Sequence, residues 1–245
     1  MSGHSKWNNI AKRKGANDAK KAAIFTKIGR KMAVAIKEGG SNNPDNNAKL
    51  RDCIAEAKAN NVPNDNIKRM LDKGNQSNVS YESNTYEGYG PSGIAVICET
   101  LTDNRNRTVA DGRHYFDKYG AGLGNAGCVS WQFEQKGVLI IERGDLDEDE
   151  TMMTVLDAGA DDFQADEDCF QIYTAPEDFS AVRDALTEAG FEFAQAEIQM
   201  VPQNTITLES QEDMAQLRKL LDSLEDNDDV QHVWHNWENE DDYEE

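Results

Sequence analysis

The sequence is poor in the residues that build catalytic and metal-binding sites, with four cysteines and four histidines among 245 residues. The cysteines are Cys53, Cys98, Cys128 and Cys169. Because they are widely separated and form no C-x-x-C pair, we expect buried reduced thiols rather than disulfides or zinc ligands. His232 and His235 lie three residues apart in a predicted strand. That spacing directs their side chains to opposite faces of a sheet, so a shared metal ion is not expected.

The dispersed histidines also argue against an enzyme. Hydrolase or transferase chemistry needs a nucleophile with a histidine partner, or clustered ligands, and neither is present. Gly122, Gly124 and Gly127 spell G-x-G-x-x-G. A dinucleotide site requires a strand before this motif and a helix after it, whereas here a predicted helix precedes it and a predicted strand follows. A tight turn explains these glycines, and we expect no catalytic residue, no cofactor and no metal ion.

Long apolar runs are missing as well. No run approaches the roughly 20 residues that cross a bilayer, and the N-terminus is charged without the apolar region of a secretory signal. Hydrophobic residues make up 38% and charged residues 29% of the chain, which suits small domains with modest cores. We expect a cytoplasmic protein with no membrane partner.

Positive charge is scarce overall and unevenly distributed. The formal net charge is -21, yet residues 1–75 hold sixteen Lys or Arg and seven acids, a net charge of +9. The remainder holds nine Lys or Arg and thirty-nine acids, a net charge of -30. Because such an acidic body repels phosphate, nucleic-acid contact is expected only near the N-terminus. The acidic body is left to face solvent, a basic protein or a ribosomal partner.

The first 37 residues form a basic block, with ten Lys or Arg and one acid, Asp18. Apolar residues recur at helical spacing from residue 18 to residue 38, and most of the cations fall on the opposite side. Exposed helix faces are often rich in lysine, so this row alone can be a solvated surface. The upstream GHSKWNNIAKRKG has no apolar periodicity, contains three consecutive cations and favours a nucleic-acid-binding arm. The candidate contacts are Gly3, His4, Ser5, Lys6, Trp7, Lys12, Arg13, Lys14, Lys20, Lys27, Arg30 and Lys31.

Two pairs of candidate residues admit different roles. His4 and Trp7 can stack on a base or reach a phosphate, or Trp7 can pin the arm to the helices. Arg105 and Arg107 lie in the polar segment TDNRNRT, where Asp103 or Asn104 can cap a helix. The arginines fit a second phosphate contact, a contact with an acidic neighbour, or plain solvation.

Helix signals continue to residue 74. Asn43-Pro44 and Pro63-Asn64 are typical helix starts, each followed by an apolar stripe, and Gly74 is a stop signal. Three helices of this size predict a small bundle. The short link at residues 60–63 has the spacing of a DNA-reading helix-turn-helix, although antiparallel helices often share such turns.

Beyond residue 78 the pattern changes to alternating strands and helices. One group comprises strands at 81–87, 94–101, 128–133, 205–209 and 230–237, with helices at 105–119 and 211–224. The intervening group comprises strands at 137–142, 163–165, 169–174 and 191–200, with helices at 148–158 and 179–189. The second group has the order β-α-β-β-α-β, so it predicts a ferredoxin-like unit inserted in another.

The predicted fold class is therefore α+β multidomain: an N-terminal three-helix bundle followed by two ferredoxin-like α+β domains, the second inserted in the first. The predicted boundaries are residues 1–78 for the basic helical domain, 79–134 plus 203–245 for the split middle domain, and 135–202 for the inserted domain.

Motifs along the chain resemble those of one family. GHSKW with DAKKAAIFTKIGRKM, then YEGYGPSG, TDNRNRT and GLGNAGCVSWQF, are similar to segments of the YebC/PmpR family of bacterial regulators. Relatives of that family include a mitochondrial translational activator. Ser92 stands where the family often has glycine, and Cys128 stands where a small hydroxyl residue is usual.

The resemblance implies a helical N-terminal domain followed by two α+β domains. It also implies a regulator of transcription that binds DNA through the basic N-terminal domain. The alternative that it implies is a ribosome-associated translation factor that binds structured RNA with the same arm.

Overall fold

The computed structural model of the protein describes residues 18–76 and 79–244. These residues contain seven α-helices and two β-sheets, an α+β architecture. The helices are α1 (Asp18–Gly39), α2 (Ala48–Ala59), α3 (Asn64–Gln76), α4 (Arg105–Tyr119), α5 (Glu148–Asp157), α6 (Phe179–Glu188) and α7 (Gln211–Glu225). The strands are β1 (Glu82–Tyr89), β2 (Ala95–Thr102), β3 (Phe133–Glu142), β4 (Asp162–Ala165), β5 (Cys169–Thr174), β6 (Gln195–Pro202) and β7 (Val230–His235).

Two compact units make up the described chain. One holds residues 18–133 together with 202–244, and the other holds residues 134–201. The first contains helices α1 to α3 and the sheet β1-β2-β7, and the second contains the sheet β4-β5-β3-β6.

Helices α1, α2 and α3 share one core, which the predicted stripes supply. Its fully buried members include Ile28, Met32 and Leu50. Asn43 caps a short 3-10 turn at Pro44–Asn46 rather than α2 itself. The cap of α2 is the buried Asn47, whose Oδ1 accepts from the Leu50 N–H. Helix α3 passes Gly74 and ends at Gln76, so the predicted stop lies two residues too early.

The sheet β1-β2-β7 is antiparallel, and helices α4 and α7 pack over its buried side chains. The strand predicted at 128–133 is wrong: residues 130–132 form a 3-10 turn, and β3 begins at Phe133. The strand predicted at 205–209 reduces to an isolated bridge between Ile206 and Trp237. There the N–H and carbonyl of Leu208 bond to the Asn239 side chain instead of to a neighbouring strand.

In residues 134–201 the elements follow the order β-α-β-β-α-β. Strand β5 pairs antiparallel with both β3 and β4, with Gly137 opposite Thr174 and Phe163 opposite Ile172. Helices α5 and α6 contribute Val155 and Leu186 to its core. This unit therefore has a closed core of its own.

Candidate nucleic-acid interface and its acidic counterpart

Three predicted phosphate-binding cations of α1 already contact acceptors of the same compact unit. Lys27 Nζ donates to the Glu225 carbonyl at 2.6 Å. Arg30 Nη1 donates to the Asp228 carbonyl at 2.7 Å and to Asp229 Oδ1 at 2.6 Å. The acceptors begin at the C-terminal end of α7, where unpaired carbonyls carry partial negative charge. Lys27 thus joins α1 to the end of α7, and Arg30 joins it to the segment between α7 and β7.

Lys31 is the next cation on the same helix. Its Nζ donates to Glu56 Oε1 of α2 at 2.8 Å and lies 2.9 Å from His232 Nε2 on β7. The His232 ring stacks on Trp234, with ring centroids 5.2 Å apart. Lys31 therefore links two helices of the N-terminal segment to the sheet.

Asp229 is the centre of these contacts, with a side chain only 4% exposed. Its carboxylate accepts from Arg30, from Arg107 Nη2 at 2.8 Å, from Thr102 Oγ1 at 3.1 Å and from Thr108 Oγ1 at 2.8 Å. We call these five residues the Asp229 cluster. Burial alone would raise the pKa of Asp229, but hydrogen bonds from Arg107, Thr108 and Arg30 hold it below its ordinary value.

The backbone fixes the position of this carboxylate. The Asp229 carbonyl accepts from the Leu101 N–H at 2.7 Å, and the Asp229 N–H donates to Asn227 Oδ1 at 2.9 Å. Directly afterwards the β2–β7 register shifts, with Glu99 opposite His232 and Thr100 opposite Val230. The bulge ends regular pairing beside Asp229, a common way to aim a side chain.

The motif TDNRNRT belongs to the same cluster. Asn104 caps α4 by accepting from the Arg107 N–H at 3.2 Å. Arg107 contacts Asp103 at 2.9 Å as well as Asp229, so it does have acidic neighbours. Arg105 is exposed, and its charge opposes the rise that burial causes in the pKa of Tyr86. The phosphate roles of Arg105 and Arg107 stay predictions.

The other predicted contacts are not placed by the structure. For Lys20, the structure describes only the backbone, which lies in the first turn of α1. The remaining eight lie outside the described residues: Gly3, His4, Ser5, Lys6, Trp7, Lys12, Arg13 and Lys14.

The N-terminal helices expose a second set of cations. Within the described chain these residues have exposed side chains and no ion pair: Lys37, Arg51, Lys58, Lys68, Arg69 and Lys73. Lys49, in contrast, pairs with Glu38 at 2.7 Å. Lys68, Arg69 and Lys73 share the exposed side of α3, opposite the buried Ile67. None of these six is among the contacts predicted from the sequence, although the apolar stripes of α1, α2 and α3 indicate their outward position.

A second buried carboxylate, Glu87, joins two of the family-like motifs. It accepts from the backbone N–H groups of Gly127, Val129 and Ser130 at 2.8, 2.9 and 2.9 Å. Burial alone would raise the pKa of Glu87, and the three backbone donors hold it below its ordinary value. The N–H groups of the last glycine of the G-x-G-x-x-G sequence and of two residues after it therefore point at a carboxylate of the protein itself. They do not form strand hydrogen bonds, which explains why the predicted strand at 128–133 is absent.

The structure shows the backbone conformation and hydrogen bonds at the two positions that depart from the family pattern. Ser92 has a φ of 53°, in the left-handed region that favours glycine, and its hydroxyl donates to Asp213 at 2.6 Å. Cys128 is partly buried, and its carbonyl accepts from Tyr89 Oη and from Trp131 Nε1, both at 3.0 Å. All four cysteines are free thiols.

Residues 18–76 and 79–244 contain no group of three or more His, Cys, Asp or Glu placed to hold a metal ion. Over the same ranges, no helix combines the length and apolar character needed to cross a membrane. His235 Nε2 lies 3.0 Å from Glu240 Oε1.

Comparisons with known proteins cover nearly the whole chain. Residues 5–77 match the family described as "TACO1/YebC protein N-terminal domain", and residues 81–237 match "TACO1/YebC second and third domain". A "Probable transcriptional regulatory protein" of Clostridium tetani is 56% identical over 93% of both chains. One of the same name from Ruminiclostridium cellulolyticum is 53% identical over 92% of both.

The fold is also similar to a solved structure. The crystal structure of a conserved hypothetical protein from Aquifex aeolicus matches with a TM-score of 0.80 and 38% identity. The match covers 90% of this chain and 91% of that one. Because the family matches and the relatives extend over most of its length, this chain belongs to the TACO1/YebC family.

Proposed function

We propose that this chain is a non-enzymatic regulator of gene expression that binds nucleic acid through its basic N-terminal segment. The division of charge carries the proposal: +9 in residues 1–75 against -30 in the remainder. Phosphate is attracted only by the basic part, which also presents the exposed cations of α2 and α3. The names of the relatives support a regulatory role.

Two groups of cations are the proposed phosphate contacts. The first is the triplet Lys12, Arg13 and Lys14. The second is the exposed row Lys68, Arg69 and Lys73 on α3. Lys27, Arg30 and Lys31 already have acceptors, so they reach a phosphate only by exchanging those contacts. We therefore do not count these three cations among the primary phosphate contacts.

Duplex DNA is the first candidate target, because the relatives are named as transcriptional regulators. Structured RNA on a ribosome is the second candidate, and the charge division favours it. A short basic arm that enters an RNA cleft keeps a net charge of -30 away from most phosphates. His4 and Trp7 add rings that can stack on unpaired bases.

The finer architecture belongs to this proposal. We propose that residues 1–78 form a basic three-helix bundle, and the common core of α1, α2 and α3 supports it. We propose that residues 135–202 form a ferredoxin-like domain inserted between 79–134 and 203–245. Its strand order β4-β5-β3-β6 supports this assignment. The proposed setting is the cytoplasm.

Salt dependence tests the interface. Changing Lys12, Arg13 and Lys14 to Ala should lower the slope of log K against log salt by about 2.7, since each phosphate contact contributes about 0.9. Changing Lys68, Arg69 and Lys73 to Ala should lower it by a similar amount. The matched control changes three cations of the acidic body to Ala: Arg113, Lys118 and Lys136.

The control variant has the same loss of charge but should leave the slope unchanged. An equal fall in all three variants would show that net charge, rather than a localised basic surface, determines binding. Fluorescence anisotropy with labelled duplex DNA and labelled hairpin RNA gives all the slopes.

A specificity ratio separates the two targets. The candidate promoter should compete little better than scrambled duplexes, because lysine and glycine contact phosphates without reading bases. Trp7→Ala should weaken RNA binding more than duplex binding. A preference for the promoter above about a thousandfold would establish sequence-specific DNA recognition and exclude the RNA alternative.

A further inference from the structure

Helix α5 exposes an unusual apolar surface. The exposed fractions are 65% for Met153, 46% for Leu156 and 37% for Met152. Thr151 and Val155 are buried on the opposite side. A helix on a protein surface normally points its apolar side inward and its polar side outward. Helix α5 therefore has an apolar stripe in addition to the one that its own core uses.

These three side chains are neighbours. At about 100° per residue, Met152, Leu156 and Met153 fall within an arc of about 100° around the helix. We call them the α5 apolar face. Leu146, which precedes the helix, is also 40% exposed. Met and Leu side chains adapt to irregular surfaces, and clusters of them occur at binding sites for amphipathic helices.

The charge around this face is almost entirely negative. Residues 134–201 hold nineteen acids and three cations, a net charge of -16. Each cation is paired within the same unit: Lys136 with Glu134, Arg143 with Glu148 and Arg183 with Asp184. Residues 134–201, all of which the structure describes, therefore leave no cation without an acidic partner.

Acids also lie beside the α5 apolar face. Asp149 is exposed one turn before Met152 and Met153, and Asp157 is exposed in the last turn. An acid in the last turn opposes the helix dipole, so Asp157 does not stabilise α5. Its position instead extends the negative rim of the apolar face.

We propose that the α5 apolar face is a docking surface for a basic amphipathic helix of a partner protein. The apolar residues bury the partner's Leu or Phe side chains, and the acids around them pair with its Lys or Arg. A nucleic acid does not fit, because a net charge of -16 repels phosphate. A second copy of this unit meets the same repulsion. This docking surface does not depend on nucleic-acid binding, which we assign to the basic residues 1–75.

The test uses the full chain and a synthetic helical peptide with Leu on one face and Lys on the other. A control peptide has Ser in place of every Leu. We expect the Leu peptide to bind at least about tenfold more tightly than the control, a difference of about 1.4 kcal/mol. Isothermal titration calorimetry at physiological salt measures both affinities.

Variants locate the peptide. Met153→Ser with Leu156→Ser should weaken binding of the Leu peptide by about tenfold or more. Ile198→Ser is the matched control, because Ile198 is a 38% exposed apolar residue of the same unit. It should leave the affinity unchanged. Asp149→Asn with Asp157→Asn should weaken binding and reduce its dependence on salt.

Four results would overturn the proposal. The first is equal affinity of the Leu peptide and the Ser control peptide. The second is equal affinity of the Leu peptide for wild type and for the Met153→Ser, Leu156→Ser variant. The third is a dimer in sedimentation velocity that this variant dissociates, which would assign the face to a second copy. The fourth is tighter binding of the Leu peptide, but not of the Ser control peptide, after Lys12, Arg13 and Lys14 are changed to Ala, which would make the chain's own arm the occupant.

Discussion

Replacing Asp229 by Asn should loosen α1 from the sheet β1-β2-β7. The change keeps the shape of the side chain but removes the charge that Arg30 and Arg107 share. One carboxylate oxygen becomes an amide group, which cannot accept from Thr102 or Thr108. The backbone bonds of Asp229 are unaffected, so the perturbation acts on the cluster alone.

Burial determines the magnitude of the effect. Removing one partner of a buried ion pair costs about 3–5 kcal/mol. Here the Asp229 and Arg30 side chains are 4% and 16% exposed, but the Arg107 side chain is 45% exposed, so water replaces part of what the carboxylate supplied. The remaining Asn oxygen keeps an acceptor. We therefore expect a loss of about 2–3 kcal/mol from the free energy of unfolding at neutral pH.

Asp228→Asn is the matched control. Asp228 is adjacent and exposed, and it contributes its carbonyl rather than its carboxylate to Arg30. The same change of charge should therefore alter stability by less than about 0.5 kcal/mol. Urea denaturation followed by the fluorescence of Trp234 and Trp237 measures both variants. Hydrogen exchange should show faster exchange in α1 only for Asp229→Asn.

The pH dependence gives an independent check. Because the pKa of folded Asp229 lies below its ordinary value of 3.8, its stabilising contribution is complete well above that pH. The contribution is lost as pH falls through the lower folded pKa. The stability difference between wild type and Asp229→Asn should thus be constant near neutral pH and shrink below about pH 4. If Asp229→Asn is as stable as wild type at neutral pH, the proposed role of the cluster is refuted.

Two further substitutions test other parts of the fold. Glu87→Gln should destabilise the fold by about 2 kcal/mol, since the amide cannot satisfy three backbone donors. Glu82 is exposed, so Glu82→Gln is the control, and thermal unfolding measures both variants. An equal effect of the two substitutions would disprove the role of Glu87. Gly137→Ala should cost about 1–3 kcal/mol, because its Cβ would collide with Thr174 Oγ1. Normal stability of Gly137→Ala would contradict the close β3–β5 approach.

Local sequence signals predicted most of the elements. Helix α4 has the predicted bounds, since Asn104 supplies an N-cap and the apolar spacing continues to residue 119. Strand β5 at residues 169–174 was also predicted correctly. In both cases residues close together in the sequence determine the element, through a helix cap, the spacing of apolar residues or a turn.

The failures involve partners that are distant in sequence. Residues 128–133 have the composition of a strand, but the N–H groups of Val129 and Ser130 bond to Glu87, which is about forty residues away. Asp229 likewise lies 122 residues after Arg107 and 199 residues after Arg30, the two arginines that it binds. Counts of charge identify the acidic body, but they do not show which carboxylate of thirty-nine receives the arginines. Tertiary structure alone selects Asp229.

The Asp229 cluster also bears on which cations contact nucleic acid. Releasing Arg30 costs about 2 kcal/mol, less than the loss of the whole carboxylate, because Arg107 stays paired with Asp229. One phosphate contact gives about 1 kcal/mol at physiological salt, from a slope of about 0.9 per contact. The exchange is therefore unfavourable, and Arg30 should stay on Asp229 when nucleic acid binds. Accordingly, Asp229→Asn and Asp228→Asn should bind duplex DNA within about twofold of each other, because both change the net charge equally.

A direct measurement of the salt slope completes this test. Arg30→Gln should leave the slope unchanged, whereas Arg69→Gln on the exposed side of α3 should lower it by about 0.9. Tighter binding by Asp229→Asn alone, together with a lower slope for Arg30→Gln, would show that phosphate does replace Asp229. The Asp229 cluster would then be a contact that nucleic acid must open, and α1 would belong to the binding surface.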